Sequence, residues 1–123
     1  MNNKNKILII DDDPRNIYAL ELTLRVKGYT AVSSASATEG IDLLHSSDDI
    51  AVVLMDMMMP DLDGYQAIRM IRSTHGFESL PIIAVTAQAM VGDREKCLAA
   101  GADDYISKPV DLDKLLLILS KII

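Results

Sequence analysis

The sequence predicts an α/β domain: a doubly wound, five-stranded parallel sheet with helices on both faces, built in (βα)5 order. Three observations carry the prediction. Short β-branched or apolar runs, "KILII" (Lys6–Ile10), "AVVLM" (Ala51–Met55) and "PIIAV" (Pro81–Val85), have the composition of strands buried on both faces. Segments with helical spacing and helical end signals lie between them. No internal repeat, low-complexity tract or Pro/Gly/Ser-rich linker divides the 123 residues, so residues 1–123 read as a single domain with a core from about residue 5. A chain of this length buries roughly two-thirds of its unfolded surface and needs neither disulfides nor a structural metal to fold.

In chain order, the first strand, Lys6–Ile10, leads into a helix that begins at Pro14 and stops at Gly28, with Ile17, Leu20 and Leu24 on one face. "TAVSSA" (Thr30–Ala35) is more polar and suits an edge strand. Ser36 followed by Glu39 forms a capping box for a second helix that buries Ile41 and Leu44. After the strand Ala51–Met55, Asp63-Gly64 opens a third helix with Ile68 and Ile71 inward. After Pro81–Val85, Leu98 lies in a fourth helix ending at Gly101. "DDYIS" (Asp103–Ser107) is the fifth strand, and Asp111 caps a fifth helix that buries Leu115, Ile118, Leu119 and Ile122.

Composition narrows the function. The net charge is -6 and no Lys/Arg cluster appears, which argues against direct nucleic-acid binding. No apolar run approaches the ~18 residues of a membrane span, and the opening "MNNKNK" has no signal-peptide core behind it, so the expectation is a soluble, cytoplasmic protein without membrane insertion. The single Cys97 cannot form an internal disulfide and reads as a small core residue.

Alternating strands and helices need crossover connections, and with five strands the expected order is 2-1-3-4-5, the flavodoxin-like arrangement. Such a sheet binds its ligands beyond the carboxyl ends of the strands, between strands 1 and 3. The residues expected there are Asp11 and Asp12 after strand 1, Asp56 after strand 3, Thr86 after strand 4 and Lys108 after strand 5. Helix capping explains Asp13, directly before Pro14, but not Asp11, Asp12 and Asp56 together. Carboxylates sharing a cleft raise one another's pKa and need a compensating cation. Lys108 supplies one charge, and a divalent ion is the natural second; hard oxygen ligands suit Mg²⁺, with Mn²⁺ as an alternative. A carboxylate can also attack phosphorus to form an aspartyl phosphate. Asp11 and Asp12 would then hold Mg²⁺, Asp56 would attack, Thr86 would donate its hydroxyl, and Lys108 would pair with a phosphoryl oxygen.

The motifs "KILIIDDDP", "VVLMDMMMPDLDGY", "IIAVTA" and "AGADDYISKPV", in that order, resemble a response regulator receiver domain of two-component signalling (CheY-like) over nearly the whole chain. The resemblance implies that Asp56 is the phosphoacceptor, that Asp11, Asp12, Asp56 and the backbone carbonyl of Met58 surround the metal, and that Thr86, Ala87 and Lys108 meet the phosphoryl group. It further implies that Thr86 and Tyr105 form the switch, and that the Lys108-Pro109 peptide is cis. The implied function is a phosphoacceptor switch in a phosphorelay. A phospho-histidine on a histidine kinase or histidine phosphotransfer protein phosphorylates Asp56, the surface of helix 4, strand 5 and helix 5 changes, and dephosphorylation resets it. That surface would meet an output partner or a second copy. "DDDPRN", "MDMMMPDLDGY" and "KPVDLDKL" most resemble receivers of hybrid histidine kinases, so the chain reads either as a freestanding regulator or as a receiver from a longer protein.

Other functions fit these residues less well. A Mg²⁺-dependent aspartyl-phosphate phosphatase typically has an aspartate two residues past its nucleophile, where this chain has Met58. A flavodoxin-like flavin binder would need a Ser/Thr/Gly-rich phosphate loop after strand 1, where three aspartates stand. The run Met55, Met57, Met58, Met59 lacks the Cys or His expected of a Cu(I) site and reads as packing. His45 and His75 read as surface residues, Tyr18, Tyr29 and Tyr65 as packing residues, and Asp93–Lys96 as a solvated helix face. Met58 and Gln88 are expected to tune phosphoryl lifetime without abolishing phosphorylation. Replacing Asp12 is expected to abolish Mg²⁺-dependent phosphorylation, whereas replacing Asp13 should cost mainly stability.

Overall fold

The computed structural model describes residues 5–60, 62–87 and 92–123; Gln88 lies outside them. Five strands alternate with five helices: β1 (Lys6–Ile10), α1 (Pro14–Val26), β2 (Thr30–Ser34), α2 (Ala37–His45), β3 (Ile50–Asp56), α3 (Gly64–Ser73), β4 (Ile82–Thr86), α4 (Asp93–Ala100), β5 (Asp104–Ser107) and α5 (Leu112–Ser120). The strands form one parallel sheet of order β2-β1-β3-β4-β5. Because the chain leaves β1 toward β2 and leaves β3 toward β4, the winding reverses between β1 and β3, and a crevice opens at their carboxyl ends.

Period-two alternation sends each strand's side chains into two separate cores. Ile7, Ile9, Val52, Leu54, Ile83, Val85 and Ile106 pack with Leu20 and Leu24 of α1 and Leu115 and Leu119 of α5. Leu8, Ile10, Val53, Met55, Ile82 and Ala84 pack with α2, α3 and α4 through Ile41, Leu44, Ile68, Ile71, Cys97 and Ala100. The result is three layers, two helices over the sheet and three beneath it. A register shift between Lys6 and Ile7 leaves Ala51 without a partner on β1, which is why Ile50 packs in the opposite core from Val52 and Leu54.

Helix ends follow local chemistry. Asp13 caps α1 by accepting from the Arg15 N–H, Asp63 caps α3 through Tyr65 N–H, and Asp111 caps α5 through Lys114 N–H. Only half of the expected capping box forms at α2. Ser36 Oγ accepts from Glu39 N–H at 3.1 Å, while the Ser36 N–H turns to Ser34 Oγ instead. Gly28 follows α1 at φ +92, a left-handed turn that a side chain would strain.

Several sequence expectations shift. Asp56 and Thr86 are the last residues of β3 and β4 and do not follow them, because the ladders Asp56↔Val85 and Thr86↔Ser107 extend one residue further than the apolar runs. β2 ends at Ser34 instead of Ala35, and β5 begins at Asp104. Tyr18 is 70% exposed and does not pack, since α1 turns Leu20 and Leu24 inward and leaves Tyr18 facing solvent. Tyr29 and Tyr65 are half-buried against the cores. Met55, Met57 and Met59 are buried, as packing requires, and Met58 is not. His45 and His75 are exposed, with the His45 ring stacked on Phe77 at 5.9 Å.

An arginine ties the opposite, amino edge of the sheet together. Arg72, in the last turn of α3, donates from Nε to Gly101 O at 2.9 Å and from one terminal nitrogen to the carbonyls of Phe77 and Leu80. Its other terminal nitrogen reaches Asp103 Oδ2 at 2.8 Å, and that oxygen also accepts the Ile82 N–H. One side chain thus anchors the α3–β4 and α4–β5 connections without touching the crevice.

Candidate functional site

Four polar residues are buried among the described residues, and three of them stand at the carboxyl edge of β1, β3 and β4: Asp11 at 3% exposure, Asp56 at 2% and Thr86 at 5%. Ladder bonds set their positions. Asp11 N–H donates to Ser34 O, extending the β1–β2 ladder by one residue, and Met57 N–H donates to Val85 O, extending β3 beside β4. Asp56 is therefore held in register beside Val85 of β4.

The acids converge. Asp11, Asp12 and Asp56 each offer a carboxylate oxygen within 4.8 Å of the others, with Asp12 exposed at the mouth. Asp11 Oδ1 accepts the Asp13 N–H at 2.9 Å, and Asp11 Oδ2 accepts a short bond from the Asn16 side-chain amide. Asp56 Oδ1 accepts the Met58 N–H at 3.0 Å. Lys108 enters from the loop after β5, its backbone N–H bonded to Thr86 O at 2.7 Å. Its ammonium stands 3.4 Å from Asp11 Oδ2 and 3.4 Å from Asp56 Oδ2. The Lys108-Pro109 peptide is cis.

The electrostatics follow from burial. Desolvation pushes the Asp56 pKa above the ordinary carboxylate value; the Met58 N–H opposes this, the Asp11 charge adds to it and Lys108 opposes it. Burial alone would depress the Lys108 ammonium, but the facing Asp56 and Asp11 carboxylates outweigh it and hold that pKa above its ordinary value. One ammonium thus faces two of the three clustered carboxylates, leaving oxygen donors and excess negative charge that suit a hard divalent cation.

The structure brings Asp11, Asp12, Asp56 and Lys108 into one cleft, with the buried Thr86 ending the neighbouring strand. Ala87, one residue beyond β4, is exposed. Met58 is 54% exposed beside Asp56, and its N–H is the atom seen bonded to the acid. Tyr105 is half-buried on β5, against the core shared by α2, α3 and α4, where burial and then Asp93 raise its pKa. Sequence reasoning missed Asn16; the only sequence signal was an amide in the first turn of a helix, where Asn favours side-chain bonds to nearby groups over helix propagation.

Fold and cleft together define a doubly wound α/β domain with an acid-and-lysine site at its switch point. The chain belongs to the response regulator receiver domain family of two-component signalling, whose sequence model matches residues 7–120. It is 42% identical over 111 residues to the response regulator MprA of Mycolicibacterium vanbaalenii and 40% identical to that of Mycobacterium avium. Each match covers 90% of this chain and 47% of the relative, so the chain spans about half the length of these relatives. Among solved structures, the receiver domain of sensor histidine kinase PA1611 from Pseudomonas aeruginosa, described with a magnesium ion coordinated in its active-site cleft, superposes with TM-score 0.86 at 38% identity, covering 97% of each chain. A receiver protein from Pseudomonas putida matches with TM-score 0.89 at 33% identity, covering 96% of this chain and 97% of that one. The chemotaxis protein CheY4 of Vibrio cholerae shares the fold, with TM-score 0.89 at 22% identity over 98% of this chain and 99% of that one.

Proposed function

We propose that residues 1–123 form one receiver domain that takes a phosphoryl group on Asp56 in a Mg²⁺-dependent reaction and signals by a change of surface. The observation that carries this is Asp56 itself: a buried carboxylate held between a second acid and an ammonium that is 3.4 Å away. That distance exceeds the ~2.7–2.9 Å of a strong charge-assisted bond, so Lys108 can turn to a new oxygen at small cost.

The residues fit the metal. Asp11, Asp12 and Asp56 supply hard oxygen donors and an uncompensated negative charge that would hold it, and the Met58 carbonyl would add a fourth protein ligand, as the family resemblance implies. Bound there, Mg²⁺ would supply positive charge to offset that of the transferring phosphoryl oxygens. An Asp56 carboxylate oxygen attacks the phosphorus of a phospho-histidine, the P–N bond breaks, and the imidazole leaves with the bonding pair and takes up a proton. Lys108 moves from its shared position to a phosphoryl oxygen, and the Thr86 hydroxyl donates to another. Ala87, with only a methyl side chain, leaves room for the group. As Thr86 is drawn in, Tyr105 turns, and the α4–β5–α5 surface changes. Hydrolysis of the acyl phosphate by water resets the switch.

The donor is a histidine kinase or a histidine phosphotransfer protein. The resemblance to hybrid-kinase receivers, and the 38% identity to the receiver of a sensor histidine kinase, support a relay role. The output partner or second copy meets the α4–β5–α5 face, where Leu117 is exposed. Direct nucleic-acid binding by this segment is disfavoured by its charge of -6. No helix among the described residues is long and apolar enough to cross a membrane, and we place the domain in the cytoplasm. The test is incubation with Mg²⁺ and acetyl phosphate, followed by intact-mass measurement. A phosphoryl adduct that Asp56→Asn abolishes is expected; no adduct, or one that survives the substitution, overturns the reading.

A further inference from the structure

Asn16 stands in the first turn of α1, and its side-chain amide donates to Asp11 Oδ2. The other Asp11 oxygen takes the Asp13 N–H. Each oxygen of this acid therefore has a neutral donor from the β1–α1 segment, independent of Lys108. Lys108 is placed differently, 3.4 Å from each of two acids. If it turns toward a phosphoryl oxygen, Asp11 Oδ2 loses a cation neighbour and keeps Asn16. Without Asn16, Lys108 would be the remaining side-chain donor seen at that oxygen, and the ammonium would close on Asp11 at the expense of Asp56. Helix formation gives no reason for an amide here, since Asn has a lower helix propensity than Ala.

We propose that Asn16 is a positioning residue: with the Asp13 N–H it fixes the Asp11 carboxylate in its metal-facing orientation and leaves Lys108 free to serve Asp56. The inference rests on the Mg²⁺-dependent reading above. Partners that orient a metal-binding group from behind are worth about 10–100-fold in metal affinity, and a single neutral donor belongs at the lower end.

The experiment is a calorimetric titration with MgCl₂ of the full chain and three variants: Asn16→Leu, Asp11→Ala and the double variant. Asn16→Leu keeps the side-chain size and removes the donor. It is expected to weaken Mg²⁺ binding about tenfold. The double variant is expected to bind no more weakly than Asp11→Ala alone, because Asn16 acts through Asp11. Thermal unfolding of each variant reports folding, and Asn16→Ala, which also lacks the donor, replaces Asn16→Leu if the latter does not fold. Parent-like affinity in the donor-less variant, or an effect that adds in full to that of Asp11→Ala, overturns the inference while leaving the phosphoacceptor reading intact. A parent protein that binds no Mg²⁺ overturns both.

Discussion

Gly64 offers a measurable link between packing and chemistry. It is the first residue of α3, and its role is close approach: a Cβ built there would lie 2.7 Å from the Met57 Cα and 2.7 Å from the Met57 sulfur. Ordinary contact begins near 3.4 Å, so Gly64→Ala must open the gap by about 0.7 Å. A rotamer change can move the sulfur but not the backbone carbon. Met57 is also held from the other side by its N–H bond to Val85 O at 2.9 Å, so the loop has little room to yield. Overpacking of this kind costs about 1–3 kcal/mol, and about 1 kcal/mol of helix propensity offsets part of it, which leaves a net loss of up to about 2 kcal/mol. Asp56 precedes Met57 directly and shares the displacement. Since a misplacement of about 1 Å can cost on the order of 100-fold in rate, we expect phosphorylation of Gly64→Ala by acetyl phosphate to slow about tenfold or more. Urea unfolding and time-resolved intact mass give the two numbers. Parent-like stability would refute the packing argument. Lost stability with the parent rate would show that α3 moves instead of the loop, refuting the positional argument.

Two further outcomes are expected. The raised Asp56 pKa means that, between its ordinary value and its folded value, the native state holds more protons than the unfolded chain, so stability falls as pH rises through that window. The metal-free parent should therefore lose stability relative to Asp56→Asn on going from acid toward neutrality, with no further change above the folded value; a flat or opposite difference in urea titrations would sink the argument. Lys108 does not interfere, because its contribution is fully present below 10.5, its ordinary value, and is lost only as pH rises through its folded pKa. Arg72→Met removes three bonds to carbonyls and one exposed ion pair, and since exposed pairs are worth little, the carbonyl bonds set the cost at roughly 3 kcal/mol. Its Mg²⁺-dependent phosphorylation rate should match the parent in protein kept folded; a slowed rate would show that the amino edge of the sheet couples to the cleft.

The sequence by itself determined the class of fold. Strands buried on both faces carry continuous apolar runs, helices carry a 3.6-residue period and polar caps, and Asp13, Asp63 and Asp111 bond the N–H groups that their positions beside helix starts imply. Those are local signals, readable from neighbours in the chain. Asp11, Asp12, Asp56 and Lys108 were legible for a related reason: a parallel sheet sends every strand's carboxyl end to one edge, so residues after the runs must share it. Other features depended on groups distant in sequence. That Asp56 and Thr86 still belong to their strands depends on ladder partners in β4 and β5. Tyr18 faces solvent because α1 packs Leu20 and Leu24 into the core of Ile7, Ile9, Val52 and Leu54, which turns residue 18 away from the sheet. Asn16 on Asp11, the Met57 backbone against Gly64, and Arg72 bridging two connections are contacts only the assembled molecule shows. Sequence periodicity tells which face of an element is buried, but distances between elements are set by how the layers pack, and those distances decide which donor each buried acid receives.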